Sequence, residues 1–245
     1  MSPYTAEFLG TTLLVLFGNG VVANVVLPRT NGNNSGWIVI TAGWALAVFI
    51  GAFCSARASG AHLNPAVTLA MAMAGHLDAV KVPGYILAQM LGGITGGALV
   101  FFFYREHFKV SDNPNGKLAC FATAPNIRSA PQAFFCEALG TFVLILPIFL
   151  LDSPSLVVPG QGPTTLGLGS LGILPVALIV FAIGLSLGGT TGYAINPARD
   201  LGPRIAHFLL PIPGKRDSDW GYAWVPVMGP LAGGALATLV HWALA

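Results

Sequence analysis

The sequence predicts an all-α membrane protein with six transmembrane helices and two shorter re-entrant half-helices. Three observations support this prediction. Of the 245 residues, 54% are hydrophobic and only 8% are charged, whereas about a quarter of the residues in soluble domains are charged. The apolar residues form six runs of roughly twenty residues, the length that crosses about 30 Å of hydrocarbon. Two shorter apolar segments remain, and each begins with the triplet Asn-Pro-Ala.

The six predicted spans follow one another along the whole chain. They are approximately residues 5–27, 37–56, 83–104, 133–151, 173–189 and 221–244. The first run is too long for the core of a signal peptide and has no basic leader, so we expect it to be retained as a span. The segments 105–132, 152–172 and 211–220 are rich in charged, Gly or Pro residues and are predicted to be loops outside the membrane.

The two short segments, Asn64 to Gly75 and Asn196 to Leu210, are predicted to enter the membrane without crossing it. Asparagine caps the first amides of a helix, and proline at the first position gives up only a donor that would otherwise lack a partner. Helices should therefore begin at Pro65 and Pro197. The irregular backbone before each helix is tolerable at membrane depth only if it lines a water-filled cavity. If both helix starts meet there, their positive ends repel cations but accept a neutral hydroxyl group.

An internal repeat divides the chain into two halves. The residues Glu7-Phe8-Leu9-Gly10-Thr11 recur 130 positions later as Glu137-Ala138-Leu139-Gly140-Thr141, and the second triplet follows the first by 132 positions. Because each half holds three spans, the second half must enter the membrane from the opposite side. We therefore expect a single channel domain over residues 1–245, with inverted repeats at approximately 1–110 and 130–245.

Other classes of function find little support in the sequence. The three cysteines have no metal-ligand spacing, and no nucleophile has a base and an orienting partner nearby, so we expect no enzyme, metal or cofactor. A net charge of +2 gives no reason to expect a nucleic acid partner. A coupled transporter with an inverted repeat is an alternative. Such a transporter would need titratable residues within its spans, which are nearly free of them apart from Glu7 and Glu137.

The segments around the triplets closely resemble the two signature loops of the aquaporin family. They read SGAHLNPAVT at residues 59–68 and TGYAINPARD at residues 191–200. With the six spans, the repeated Glu-x-x-Gly-Thr motif and the pair Ala88-Gln89, the likeness covers the whole chain. Within that family the chain is similar to the glycerol facilitators, or aquaglyceroporins.

The resemblance implies a constriction near the outer mouth, formed by Trp44, Gly184, Tyr193 and Arg199. Water-selective members have histidine where Gly184 stands, so glycine should widen the opening. Trp44 and Tyr193 would form an apolar corner for the carbon backbone of a polyol, with the Arg199 guanidinium binding hydroxyl oxygens on the other side. The glycerol branch usually has phenylalanine at the position of Tyr193. The added hydroxyl would either narrow the opening or make a polar contact.

The resemblance also assigns roles along the pore. The residues at the centre of the pore are Asn64, Pro65, Ala66, Asn196, Pro197 and Ala198, with the two asparagine amides donating to the passing oxygen. Glu7 and Glu137 would accept backbone amides of the loops and thereby leave a ladder of carbonyls facing the pore. These carbonyls belong to Gly60, Ala61, His62, Tyr193 and Ala194. Asp200 and Arg204, at helical spacing, are expected to form a structural pair.

The expected function is passive permeation of glycerol and other small uncharged solutes, with water, and exclusion of protons and ions. A predominantly water-selective channel is the alternative. The resemblance further implies a homotetramer surrounded by membrane lipid in the plasma or inner membrane, with the amino terminus in the cytoplasm. On that orientation Arg57 and Lys81 are the basic residues of the cytoplasmic side, against the positive-inside tendency. The outer loops would hold Arg105, Lys109, Lys117 and Arg128.

Overall fold

The computed structural model describes residues 1–158, 160 and 162–244. Its α-helices are α1 (Pro3–Val26), α2 (Trp37–Ser59), α3 (Pro65–Met73), α4 (Val82–Phe103), α5 (Arg105–Val110), α6 (Pro114–Ala119), α7 (Ala130–Leu150), α8 (Leu174–Ser186), α9 (Pro197–Leu209) and α10 (Val225–Leu244). Six of them, α1, α2, α4, α7, α8 and α10, are long and apolar enough to cross a membrane when the 3₁₀ turns before α4 and α8 are included. The predicted fold class is confirmed, and the two short helices α3 and α9 begin at the expected prolines.

Two of the predicted loops contain regular structure. The segment 105–132 holds α5 and α6, and α6 begins where Asn113 Oδ1 accepts a hydrogen bond from the Gly116 amide at 2.9 Å. The segment 152–172 holds an antiparallel hairpin of β1 (Ser155–Val158) and β2 (Gly162–Thr165). Residues 159 and 161 of this predicted loop, and residue 245, lie outside the described part of the chain. These elements are too short to be distinguished from loops by hydrophobic periodicity, because they contain only four to six residues each.

The glycines of α4 allow that helix to approach two neighbours closely. Gly92 and Gly96 face α1, and a Cβ atom on Gly92 would lie only 2.6 Å from the carbonyl oxygen of Phe8. Gly93 and Gly97, one position further along, face α9 instead. Two interleaved glycine pairs therefore serve two different helix contacts, as expected for small residues at four-residue spacing in membranes.

The two halves pack in matching ways. Helix α1 packs against α2 and α4, and α7 packs against α10. On α10, Gly229 and Gly233 face α7, and a Cβ atom on Gly229 would lie 2.7 Å from the Glu137 Cβ atom. Each short helix contacts the opposite half, since α9 packs against α4 and α3 packs against α10. This exchange holds both re-entrant helices at the centre of the bundle.

Candidate functional site

The two re-entrant loops follow the same backbone path. Non-glycine residues with positive φ occur at matched positions, namely Ala61 (55°), Leu63 (51°), Tyr193 (39°) and Ile195 (45°). Each residue in this left-handed region costs roughly 1–2 kcal/mol and persists only where its surroundings fix the conformation. The loops must therefore be held by strong contacts on the side away from the cavity.

A buried carboxylate holds the first loop. The two oxygens of Glu7 accept the backbone N–H groups of His62 at 3.0 Å and Leu63 at 2.7 Å. The Ser59 hydroxyl and the Gln89 side-chain amide also donate to Glu7, at 2.6 and 2.7 Å. Glu7 is fully buried, so this carboxylate replaces water as the acceptor for the loop amides.

Glu137 does the same for the second loop. Its oxygens accept the backbone N–H groups of Ala194 at 3.0 Å and Ile195 at 2.7 Å, together with the Thr191 hydroxyl at 2.7 Å. Both glutamates therefore bind the amide side of a loop. The carbonyl groups of the loop then remain on the opposite side.

Residues of both loops line a cavity of about 340 Å³. Within the described chain, no hydrogen-bond donor contacts the carbonyl oxygens of the five predicted ladder residues, Gly60, Ala61, His62, Tyr193 and Ala194. The other walls are mainly apolar and include Val48, Ala52, Leu144, Ile148, Val176 and Val180. The cavity wall thus combines loop residues whose carbonyl oxygens have no donor in the described chain with apolar side chains.

The asparagines of the triplets cap the two short helices. Asn64 Oδ1 accepts the Ala66 amide at 2.9 Å, and Asn196 Oδ1 accepts the amides of Ala198 at 2.9 Å and Arg199 at 3.2 Å. Each helix thus begins at the proline that follows its capping asparagine. Both asparagines line the cavity, so the positive ends of α3 and α9 point to the same region.

Crossed hydrogen bonds join the two triplets. Asn64 Nδ2 donates to the carbonyl of Ile195, and Asn196 Nδ2 donates to the carbonyl of Leu63, both at 2.8 Å. A side-chain amide carries two hydrogens, and this contact uses one of them. The second hydrogen of each amide is thus available to a molecule in the cavity.

Arg199 and Trp44 lie together in the wall of the cavity. The guanidinium carbon lies 3.7 Å from the centre of the Trp44 ring, so the cation stacks on the ring face rather than across the opening from it. Within the described residues, the side-chain N–H groups of Arg199 have no protein acceptor, although its guanidinium is largely buried. The donors of Arg199 are therefore available to oxygen atoms of a solute.

Tyr193 occupies the space beside Gly184. A Cβ atom on Gly184 would lie 3.0 Å from the Tyr193 Cζ atom and 2.8 Å from the Thr41 Cγ2 atom, and Gly184 is not among the residues that line the cavity. One helical turn further on, Gly188 also lies under the tyrosine ring. The Tyr193 hydroxyl is buried and has no hydrogen-bond partner in the described part of the chain. Because Gly184 has no side chain, the Tyr193 ring can pack against it within the cavity wall.

Residues 1–241 match the sequence model of the major intrinsic protein family. The chain belongs to this family. It is 53% identical over 243 residues to a probable glycerol uptake facilitator protein of Thermotoga maritima, covering 99% of each chain. It is 51% identical over 240 residues to a glycerol uptake facilitator protein of Streptococcus pneumoniae, covering 98% of each. The X-ray structure of the aquaglyceroporin from Plasmodium falciparum is 34% identical and matches with a TM-score of 0.81, over 97% of this chain and 93% of that one.

Major intrinsic proteins are channels or transporters, and this member has six apolar helices. It is therefore an integral, multi-pass membrane protein of the cell membrane. The predicted membership of the glycerol branch agrees with these relatives.

Trp37 is a residue of this major intrinsic protein site that the sequence interpretation missed. Its ring lies edge-on to Tyr193 with 5.8 Å between the ring centres, and its Nε1 donates to the Gly184 carbonyl at 2.9 Å. Trp37 precedes Trp44 by seven positions on α2, which places both rings on one face of the helix. That spacing could have indicated its position.

The expected pair Asp200 and Arg204 forms a fully buried ion pair, with 2.7 Å between Arg204 Nη2 and Asp200 Oδ1. Asp200 also accepts the backbone amide and the hydroxyl of Thr123, both at 2.7 Å. Arg204 donates to the carbonyls of Thr123 at 2.9 Å and Ser218 at 2.8 Å. The pair therefore ties α9 to the segments 105–132 and 211–220. No local sequence signal marks Thr123, because it is 77 residues from its partner.

Proposed function

We propose that the protein is a passive channel for glycerol and other small uncharged solutes, which also conducts water and excludes protons and ions. The main support is the chemistry of the cavity wall, which combines carbonyl acceptors of the loops with apolar side chains and has Arg199 beside Trp44. A polyol has the same division between hydroxyl groups and carbon backbone. The names of the relatives, glycerol uptake facilitators, favour glycerol over a water-only channel.

Permeation would exchange one set of hydrogen bonds for another. The hydroxyl hydrogens of a solute would be donated to the carbonyls of the ladder residues, while its oxygens would accept from Arg199, Asn64 and Asn196. The apolar wall would contact the carbon atoms. Because the lost bonds to water are replaced at each step, the barrier stays low without an energy source.

Exclusion of ions would follow from charge and space. Arg199 and the positive ends of α3 and α9 all oppose a cation in the cavity. An ion would also have to leave its hydration shell behind, and the apolar wall supplies no replacement. A neutral solute meets neither obstacle.

We further propose that Trp44, Gly184, Tyr193 and Arg199 form the selectivity filter. Support comes from the stacking of Arg199 on Trp44 and the fit of the Tyr193 ring over Gly184. A side chain at position 184 would push the ring towards the cavity, because Thr41 blocks the other direction. In this proposal glycine widens the filter by making room for the tyrosine ring.

The organisation that we propose is one channel domain over residues 1–245 with inverted repeats at approximately 1–110 and 130–245. The matched positive φ values and the two buried glutamates support it. The proposed assembly is a homotetramer in membrane lipid, each protomer with its own pore. We propose no catalytic activity and no cofactor.

The experiment is stopped-flow shrinkage of liposomes that contain the purified protein, measured with water, glycerol and larger polyols. We expect glycerol to pass quickly and larger polyols to pass progressively more slowly. Gly184→His should suppress glycerol flux more than water flux. Gly189→His is the matched control, because Gly189 has no atom near the position of an added side chain. Unchanged selectivity in Gly184→His would refute the filter, and a wild-type channel that passes water alone would support the water-selective alternative.

A further inference from the structure

A chain of buried hydrogen bonds leads from Glu7 to a ring that borders the cavity. Gln89 Nε2 lies 2.7 Å from Glu7 Oε2 and 2.8 Å from Thr68 Oγ1. Thr68 Oγ1 in turn lies 3.2 Å from His62 Nδ1. Glu7, Gln89 and Thr68 are fully buried, whereas His62 lines the cavity. Whether each group donates or accepts a hydrogen bond determines whether the next group accepts or donates.

Glu7, at the buried end of the chain, determines the direction of its hydrogen bonds. The backbone N–H groups of His62 and Leu63 can only donate, and one of them meets each carboxylate oxygen. Gln89 and Ser59 supply two further donors. The Glu7 carboxylate is thus surrounded by four donors, and its oxygens only accept.

Gln89 must then donate with both amide hydrogens. With the amide reversed, its oxygen would face the Glu7 carboxylate at hydrogen-bond distance, and two acceptors would oppose each other. In the observed orientation the Gln89 Oε1 atom is buried and has no partner within the described residues. Leaving such an acceptor unsatisfied is unfavourable, which indicates that the contact with Glu7 decides the orientation.

Thr68 then donates a hydrogen bond to His62. Its hydroxyl accepts from Gln89, so its single hydrogen is left for the second neighbour, His62 Nδ1. A ring nitrogen that accepts carries no proton, and the other nitrogen of a neutral histidine must carry it. His62 is thereby fixed in the Nε2–H form.

His62 lines the cavity, and Nε2 is the ring nitrogen that does not contact Thr68. Nε2 makes no hydrogen bond within the described residues, and a Cβ atom on Gly60 would lie 3.7 Å from it. The Tyr85 ring packs against the His62 ring, with 5.1 Å between their centres, and fixes its orientation. The cavity therefore carries an N–H donor beside the carbonyls of Gly60 and Ala61.

We propose that Glu7, acting through Gln89 and Thr68, locks His62 as a hydrogen-bond donor and so makes His62 a specificity-determining residue for hydroxyl groups. A hydroxyl can donate to a loop carbonyl and accept from His62 at the same time. A group that only accepts or only donates satisfies one of these partners and leaves the other unsatisfied. The second half has no such chain, because Ala194 and Asp200 stand at the positions that match His62 and Thr68.

The assignment rests on the proposed function, but its direct test does not require transport. Nitrogen-15 magnetic resonance of the histidine-labelled full chain in lipid, at about pH 8 where histidine is ordinarily neutral, reports which ring nitrogen is protonated. His62→Gln identifies the His62 signals by their loss. We expect a protonated Nε2 and an unprotonated Nδ1. A wild-type signal from protonated Nδ1 would overturn the proposal. In that form His62 donates to Thr68, so the direction of the hydrogen bonds from Glu7 to His62 would not be the one proposed.

Two variants at position 68 separate the lock from a general structural role. Thr68→Ser keeps the hydroxyl and should keep the Nε2–H form, whereas Thr68→Val should yield a mixture of both forms. Glycerol flux should fall in Thr68→Val relative to Thr68→Ser, by at most about fivefold, the value for complete loss of one net hydrogen bond, with a smaller loss for water. A changed ring form with unchanged glycerol flux would overturn the specificity role. If the wild type conducts no glycerol, the proposed function fails, while the resonance experiment still decides the state of His62.

Discussion

The two re-entrant halves share one backbone path but are fastened by different chemistry. In the first half, the uncharged side chains Gln89 and Thr68 connect Glu7 to the short helix. In the second half, the ion pair of Asp200 and Arg204 connects the short helix to the segments 105–132 and 211–220. The repeat therefore preserves where the carbonyls point, while the side chains around each loop have diverged.

This divergence places a charged side chain in the cavity wall in one half only. Val67 stands 132 positions before Arg199, and Thr68 stands 132 positions before Asp200. Val67 and Arg199 both line the cavity, so the guanidinium of one half is matched by an aliphatic side chain in the other. An aliphatic and a charged part of the cavity wall thus arise on the same scaffold through substitution at matched positions.

The largest expected difference between the halves lies in stability. Asp200→Ala leaves the guanidinium of Arg204 buried without its carboxylate, and we expect the free energy of unfolding to fall by about 3–5 kcal/mol. The matched change Thr68→Ala should lower it by only about 1–3 kcal/mol, because hydrogen bonds alone are lost. Denaturant unfolding of the purified protein in detergent measures both, and Asp217→Ala in an exposed pair is the control. Equal losses of unfolding free energy in Thr68→Ala and Asp200→Ala would contradict the view that the two halves are held by interactions of different strength.

Substitution of the two glutamates should have an intermediate effect on the free energy of unfolding. Glu137→Gln turns an NH₂ group towards a loop amide, and we expect a loss of about 1–3 kcal/mol because a buried donor then lacks its acceptor. Glu7→Gln should cost about the same although Gln89 also donates to Glu7, because Gln89 can rotate and accept from the new amide. The same unfolding measurement compares them. A greater loss in Glu7→Gln than in Glu137→Gln would show that Gln89 does not adapt.

Within the second half, Trp37 should support the filter. Trp37→Phe removes the donor to the Gly184 carbonyl but keeps an aromatic ring beside Tyr193. One net hydrogen bond is worth about 1 kcal/mol, so we expect glycerol permeability to fall by no more than about fivefold. Trp242→Phe, on an exposed face of α10, is the control. If both variants behave alike in stopped-flow assays, Trp37 has no special place in the filter.

The smallest expected effect is that of Tyr193→Phe. The hydroxyl is buried in the wall without a partner, so its removal takes away no hydrogen bond within the described chain. We expect glycerol permeability to stay within about twofold of the wild type and stability to be equal or slightly higher. A large loss of glycerol flux would instead indicate that the hydroxyl contacts the solute.

Local chemistry explains which parts of the site the sequence could predict. The starts of α3 and α9 were predicted correctly because capping by asparagine and the constraint of proline act within a few residues. The packing of Tyr193 on Gly184 and Gly188, and the stacking of Arg199 on Trp44, depend on how separate helices meet. No single segment carries that information.

The basic residues of the segments 105–132 and 211–220 illustrate the same limit. On charge alone they oppose the family orientation, but the structure gives several of them partners. Lys117 donates to the Pro213 carbonyl, Arg128 pairs with Asp219, and Lys109 pairs with Glu106. Lys215 donates to three carbonyls at the end of α9, those of His207, Phe208 and Leu210. Several of these residues therefore fasten loops, a use that charge counts along the sequence do not reveal.

Glycerol permeability under an imposed proton gradient tests the central claim, a passive passage between two helix ends, most directly. Liposomes with and without the protein are compared at equal glycerol gradients, with and without a pH difference across the membrane. The protein should raise the glycerol rate well above that of empty liposomes, and the pH difference should leave the rate unchanged. Equal rates in empty and protein-containing liposomes, or a rate that follows the proton gradient, would contradict it.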